Sequence, residues 1–315
     1  MDENLKKAAL IIPYFGKWPV WIDLFLHSCR KNAAFDFFIF SDCEKPAIES
    51  DNIFYFSLSF QDYCERVSKE LNIRFKPESA YKLCDLKPFY GYIHKKELKS
   101  YEFWGFCDVD LVFGKLDEFI PENLNDYDVF STHNDRISGH FCLIRNSEKW
   151  VSRCFEMDDW KIKLAENLFL GLDELDYSLL IFPEAKLIGK FYGRFMMRYM
   201  GWKAAWETYY TIFPLIHKIL NFRNRRLLFK EQHTTPILAA DGRLYRKESD
   251  SWLYQDGEVI NLRHQTKLMY LHFMVFKKNF YSGGQYWHSD YYHVPVNFPF
   301  DDGILIDKSG FNPIK

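Results

Sequence analysis

Two carboxylates and a late histidine are the residues best placed by type and spacing to do chemistry in this chain. An apolar run, Phe103-Trp104-Gly105-Phe106-Cys107, delivers Asp108 and Asp110 two positions apart. On a strand continuing through them, both side chains would lie on one face. Two hard oxygen donors side by side suit Mg2+ or Mn2+. Such an ion neutralises the charge that develops on a departing diphosphate. The bland alternative is a pair of solvated acids at a strand end. His272 sits in a second apolar run, Leu268 to Phe276, with Lys277 and Lys278 behind it. Imidazole is a good Mn2+ ligand, and an ammonium is a compact partner for phosphate. His272 therefore reads as a third metal ligand, against the alternative of a core histidine, and Lys278, or else Lys277, as the diphosphate cation.

Further groups could complete a site. In Pro13-Tyr14-Phe15-Gly16 an aromatic ring could stack on a base, and Gly16 permits close backbone approach. Asp42 either accepts hydrogen bonds from a ribose or base, or caps a helix. Lys82, Asp85 and Lys87 are spaced i, i+3 and i+5, so Lys82 and Asp85 share a helix face. They border a ligand site or form a solvated ion pair. Asp173 and Glu174, with Asp176 behind them, precede an apolar helix, where acids cap and stabilise the first turn. The remaining histidines, His133, His233, His264, His288 and His293, show no ligand spacing and read as surface or core.

The elements that must hold these groups read as α/β. Strands are predicted at 8–13, 36–41, 102–109, 127–131 and 140–145. Helices are predicted at 19–31, 60–72, 79–99, 147–168 and 173–181. Strand, helix, strand within the first forty residues begins a parallel sheet. Residues 190–228 read as two helices broken by Pro214. Residues 235–262 read as short strands with hairpin turns at Asp241-Gly242 and Asp256-Gly257. No repeat or low-complexity linker appears, so 1–315 reads as a single domain.

Composition narrows the function. The 315 residues carry a net charge of −2, which excludes a whole-chain polyanion binder, so no nucleic-acid partner is expected. Aromatics make up 19%, unusually many. Seven cysteines without CxxC spacing fit a reducing, cytoplasmic setting. Between 186 and 230 ten Lys/Arg stand against one acid, Glu207, interleaved with aromatic and apolar residues. That composition suits a segment lying on an anionic membrane surface, or else a helical cover for the sheet.

Several of these motifs in order resemble those of nucleotide-sugar glycosyltransferases of the GT-A fold. More narrowly, the chain resembles a bacterial family of polysaccharide glycosyltransferases formerly of unknown function. The resemblance is carried by Ile11 to Gly16, Tyr81 to Pro88, Phe103 to Gly114, and Ser138-Gly139-His140 through Asn146. It covers roughly the first 180 residues; the 186–230 segment departs from the pattern. The resemblance implies a Rossmann-like mixed sheet flanked by helices; the residues themselves add a helical insertion near 186–230 and a β-hairpin region near 235–262. It implies a nucleoside held at Pro13–Gly16 and a donor site bordered by Lys82, Asp85 and Lys87. Gly139 and His140 would line the sugar pocket. Asp173 or Glu174 would contact the sugar or acceptor, or deprotonate the acceptor hydroxyl. His272 and Lys278 resemble the His-x5-Lys element of retaining galactosyl- and glucosyltransferases, although Asn279-Phe280 replaces the usual Pro-Trp.

The expected activity is transfer from a UDP- or GDP-sugar to a glycan or lipid-linked glycan, with Mn2+ or Mg2+, in bacterial surface polysaccharide synthesis. The expected location is cytoplasmic, peripheral on the inner membrane face. Two rivals remain. Asp108-x-Asp110 also fits the nucleophile strand of haloacid-dehalogenase-like phosphatases, although that family opens its core with the motif and here a long α/β pattern precedes it. The other rival is a non-catalytic membrane or carbohydrate-binding module on the same fold.

Overall fold

The computed structural model describes residues 7–133, 136–182, 227–229, 251–272, 300–307 and 310–314. Its central strands form because their sequences are apolar on both faces, Asp36 and Ser41 of β2 being the polar exceptions. In β1 (Ala8–Pro13), Ala9 and Ile11 join one core while Ala8, Leu10 and Ile12 join the other. In β2 (Phe35–Ser41), Phe38 and Phe40 face the first core and Phe35, Phe37 and Ile39 the second. A strand covered on both faces needs apolar residues on both alternations. This is where much of the aromatic content resides.

The remaining strands of this sheet are β3 (Ile53–Ser57), β4 (Phe103–Cys107), β6 (Val129–Ser131), β7 (Phe141–Arg145) and β8 (Leu227–Phe229), with β5 (Leu111–Phe113) outside it. Their order is β3-β2-β1-β4-β7-β6-β8. The first four are parallel, β7 runs antiparallel to β4 and β6, and β8 is parallel to β6. The result is the expected mixed α/β sheet flanked by helices. Its parallel order reverses between β1 and β4, so the C-terminal ends of these two strands flank the crevice where open α/β sheets hold ligands.

Helix α1 (Ile22–Arg30) covers one face through Ile22, Phe25, Leu26 and Cys29. Helix α2 (Phe60–Leu71) covers the other through Tyr63, Cys64, Val67 and Leu71. A capping box starts α2: Ser59 Oγ accepts from the Asp62 amide, and the Asp62 carboxylate accepts from the Ser59 amide. A second sheet contains β9 (Trp252–Gln255), β10 (Glu258–Asn261), β11 (Thr266–Leu268), β13 (Ile304–Asp307) and β14 (Gly310–Pro313). The Asp256-Gly257 hairpin turn is present, with φ of 53° and 76°.

Several expected elements differ. The helix predicted at 79–99 is a 3-10 segment, Ala80–Phe89, followed by one α turn, α3 (Tyr90–Ile93). Pro88 inside it has no amide to donate. The helix predicted at 147–168 is broken into α4 (Glu148–Val151), a 3-10 turn at Arg153–Glu156, and α5 (Trp160–Ala165). A π-helical turn, Asp173–Tyr177, precedes α6 (Ser178–Ile181). Leu227 and Leu228, expected at the end of a helix, lie in β8. The rest of the predicted insertion at 186–230 and the Asp241-Gly242 turn lie outside the described residues.

Candidate active site

The strand β4 stops at Cys107, short of both aspartates. Asp108 still donates its amide to the His140 carbonyl (3.1 Å), and the chain then bends and re-enters as β5. Trp21 Nε1 holds the bend by donating to the Val109 carbonyl (3.0 Å). The two carboxylates therefore approach through a bend between strands, not through the shared strand face expected from their spacing. Strand β5 pairs antiparallel with β12 (Tyr270–His272), in a register that puts His272 opposite Leu111 and so beside Asp110. Gly114 permits this approach, because a Cβ there would lie 2.4 Å from the Leu268 carbonyl oxygen.

One ligand atom each from Asp108, Asp110 and His272 lies within 4.8 Å of the others. His272 Nε2 is 3.5 Å from Asp110 Oδ1. Asp110 is 8% exposed and His272 3%, whereas the Asp108 side chain is 36% exposed. Two carboxylates and an imidazole this close together, with Asp108 the exposed member, fit a divalent cation of the Mn2+ or Mg2+ kind.

Lys87 stands behind Asp108. Its ammonium donates to Asp108 Oδ1 (2.7 Å) and the Gly139 carbonyl (2.6 Å), and lies 3.9 Å from Asp173 Oδ2. Burial disfavours the charge, but Asp108, the Cys84 thiol and Asp173 outweigh it and raise the Lys87 pKa. Gly139 presses on two acids: a Cβ there would lie 2.9 Å from Asp173 Oδ2 and 2.8 Å from Glu174 Oε1. Its amide donates to Glu174 Oε1 (3.1 Å), and the Glu174 amide donates to Asp173 Oδ1 (2.9 Å). Burial pushes the Asp173 carboxyl up to about 6, with Lys87 pulling the other way. Asp173, Glu174, Lys87 and Gly139 are thus brought together beside Asp108.

Three histidines meet on the other side. The His140 ring stacks on His272 (centroids 4.3 Å apart, 24°), and His133 meets His140 edge-on at 5.4 Å. His140 Nε2 is 2.7 Å from the Tyr270 hydroxyl, which donates to Thr132 Oγ1. Burial holds His140 well below its ordinary pKa, and burial with Arg136 and His272 takes His133 down to about 3. Both therefore stay neutral. His133, which shows no ligand spacing in the sequence, stands just past the end of β6.

Other expected residues fall elsewhere. Phe15 is buried against Phe60 and Tyr63, with ring centroids 5.5 and 5.3 Å away, so it packs the core instead of meeting a base. Tyr14 stacks on Trp18 (5.0 Å, 17°) and is within electrostatic reach of Asp110. Asp42 Oδ1 accepts the Gly16 amide (2.7 Å), tying the Pro13–Gly16 turn to the end of β2; it caps no helix. Gly16 has φ of 104°, a region glycine enters freely. Lys82 and Asp85 are neither solvated nor at the crevice: both side chains are fully buried and paired at 2.9 Å. Lys278 lies outside the described residues, as do Lys277, His233, His288 and His293.

Residues 10–298 match the pattern of a described family, Family of unknown function (DUF6625). The chain belongs to that family. The matched span holds the whole cluster from Tyr14 to His272. No curated protein matches the chain. Solved structures similar in shape include the apo form of the glycosyltransferase GlyE of Streptococcus pneumoniae TIGR4, with 14% identity and a TM-score of 0.32, covering 57% of this chain and 44% of that one. They also include apo mouse Xyloside xylosyltransferase 1, with 9% identity and a TM-score of 0.30, covering 57% of this chain and 82% of that one. This DUF6625 chain thus spans less than half the length of GlyE. No helix among the described residues is long and apolar enough to cross a membrane.

Proposed function

We propose that the protein is a metal-dependent glycosyltransferase that moves a sugar from a UDP- or GDP-sugar to a glycan or lipid-linked glycan. The observation that carries this reading is the convergence of Asp108, Asp110 and His272 at the C-terminal end of β4, beside the point where the strand order reverses. Asp110 and His272 would hold Mn2+ or Mg2+ from the buried side and Asp108 from the crevice. When bound, such an ion neutralises negative charge on the departing diphosphate.

The chain's own groups supply the rest. Lys87 keeps its proton and fixes the Asp108 carboxylate by a 2.7 Å hydrogen bond. Asp173 and Glu174 offer carboxylates to an acceptor hydroxyl, and a carboxyl near 6 accepts a proton at neutral pH more readily than an ordinary one. Gly139 lets the backbone lie against both carboxylates, closer than any side chain would allow. Tyr14 and the Asp42-braced turn would meet the nucleoside, and Lys278 the diphosphate. The basic aromatic stretch 186–230 would hold this one catalytic domain on the anionic cytoplasmic face of a membrane, where surface polysaccharide precursors are built.

The test is thermal stabilisation by UDP or GDP with and without Mn2+. A ligand that binds only the folded state raises its stability by mass action. The expected result is a shift that needs nucleotide and Mn2+ together and disappears in Asp110→Asn. A metal-independent shift, or one retained in Asp110→Asn, refutes the metal assignment. Phosphate release from small phosphoesters, lost in Asp108→Asn, would replace the transferase by a phosphatase.

A further inference from the structure

One aromatic face of the described surface has no role in the reading above. Tyr81 is 62% exposed and Phe169 37%, and their rings meet edge to face at 5.0 Å and 65°. Exposed Leu168 and Leu175 flank them. A Cβ at Gly171 would lie 3.7 Å from both Phe169 and Leu175, so these side chains share one edge. Exposed rings of this size are usually tolerated singly; a grouped set marks a binding surface.

The pair is also held rigidly from below. Lys82, next to Tyr81, donates to the Leu168 carbonyl (2.7 Å) and the Lys163 carbonyl (2.8 Å). Asp85 accepts the amides of Leu170 and Leu172, each at 3.0 Å. The buried ion pair therefore grips the backbone on both sides of Phe169 and sets its ring against Tyr81. The gripped segment runs directly on into Asp173 and Glu174. The Tyr81 phenol is raised by its burial and by Cys84, then by Asp108 and Asp173, so it stands within electrostatic reach of the same crevice.

A pyranose ring has an apolar C–H face and a rim of hydroxyls. An aromatic floor with carboxylates at its edge complements both at once. An alkyl chain would use the floor and make nothing of the acceptor capacity left on the exposed Glu174 carboxylate. We propose that Tyr81 and Phe169 form the stacking floor of a carbohydrate subsite, with Glu174, whose side chain is 42% exposed, at the edge that meets the sugar hydroxyls and Asp173 buried behind it. The role of that sugar as acceptor rests on the transferase reading; the binding of a pyranose here does not.

The test is saturation-transfer NMR on the full chain, without nucleotide, using the methyl α- and β-glycosides of glucose, galactose, mannose and N-acetylglucosamine. Saturation should reach ring C–H protons. Tyr81→Ala and Phe169→Ala should each weaken binding by about threefold to tenfold, and Tyr81→Phe should retain it. Absence of transfer from every glycoside overturns the proposal, and so does transfer unchanged in both alanine variants. A lowered thermal midpoint in these variants without any sugar binding makes the pair a packing surface, and also overturns it. No turnover is needed, so sugar binding without nucleotide or metal effects refutes the transferase reading alone.

Discussion

Lys82 and Lys87 stand on the same 3-10 segment, and each pairs with an aspartate, yet they do opposite things. Lys82 spends its three donors on Asp85, the Lys163 carbonyl and the Leu168 carbonyl, and Asp85 takes two backbone amides besides. Nothing is left to offer a ligand. Lys87 spends two donors on Asp108 and Gly139, and its partner Asp108 keeps a face toward the crevice. A pair saturated by backbone is a clamp that shapes a loop. A pair with one open side can act on something that arrives.

The sharpest way to break this contrast is Lys82→Met. It leaves the Asp85 charge buried without its cation and should cost about 3–5 kcal/mol in denaturant unfolding. Lys82→Met combined with Asp85→Leu should recover part of that loss, because the uncompensated charge is gone. Stability unchanged in Lys82→Met would mean that the clamp does not clamp. Asp108→Asn should cost less, about 2 kcal/mol, since Lys87 keeps its bond to the Gly139 carbonyl. In return it should abolish the stabilisation by Mn2+ and nucleotide measured in the same melts.

Gly139→Ala sits between the two classes. Its methyl would push on Asp173 and Glu174 and should cost about 1–2 kcal/mol. Its effect on nucleotide stabilisation should be smaller than that of Asp108→Asn. At neutral pH the smallest effect concerns a sealed group that can change charge. His94 accepts or donates to the Tyr63 hydroxyl at 2.9 Å, and burial with Arg66 holds its pKa well below the ordinary 6.5. Below 6.5 the unfolded chain takes up a proton that the folded one refuses. Stability should therefore fall as pH drops from 6.5, by up to about 1.4 kcal/mol per pH unit for this group. Melts of His94→Gln across pH 5–7 should show a flatter slope than the parent chain; an identical slope removes His94 from the account.

The sequence conveyed the sheet well, because strands buried on both faces announce themselves as apolar runs, unbroken in β1 and β4 and interrupted in β2 only by Asp36 before its end at Ser41. It conveyed the 3-10 segment poorly, because the same i, i+3 spacing suits either helix and only Pro88 hinted at the tighter form. Asp108, Asp110 and His272 could be picked out as a group by residue type. Their meeting could not be derived from the period of a strand, since the bend after Cys107 and the β5–β12 register create it. Lys82 and Asp85 were misread because spacing does not encode burial. The partners that seal them, the carbonyls of Lys163 and Leu168, come from a segment far along the chain. That His133 meets His140 could not be read from spacing, because the fold brings the two rings together.

The β5–β12 ladder has one consequence for the making of the molecule. His272 reaches Asp110 from more than half the chain away, and contacts of such reach must close a long loop before anything rewards them. A nascent or clipped chain short of that strand carries both carboxylates without the His272 imidazole. On the metal-binding reading, its hold on a divalent cation would lack the ligand that reaches the pair from the far end of the chain.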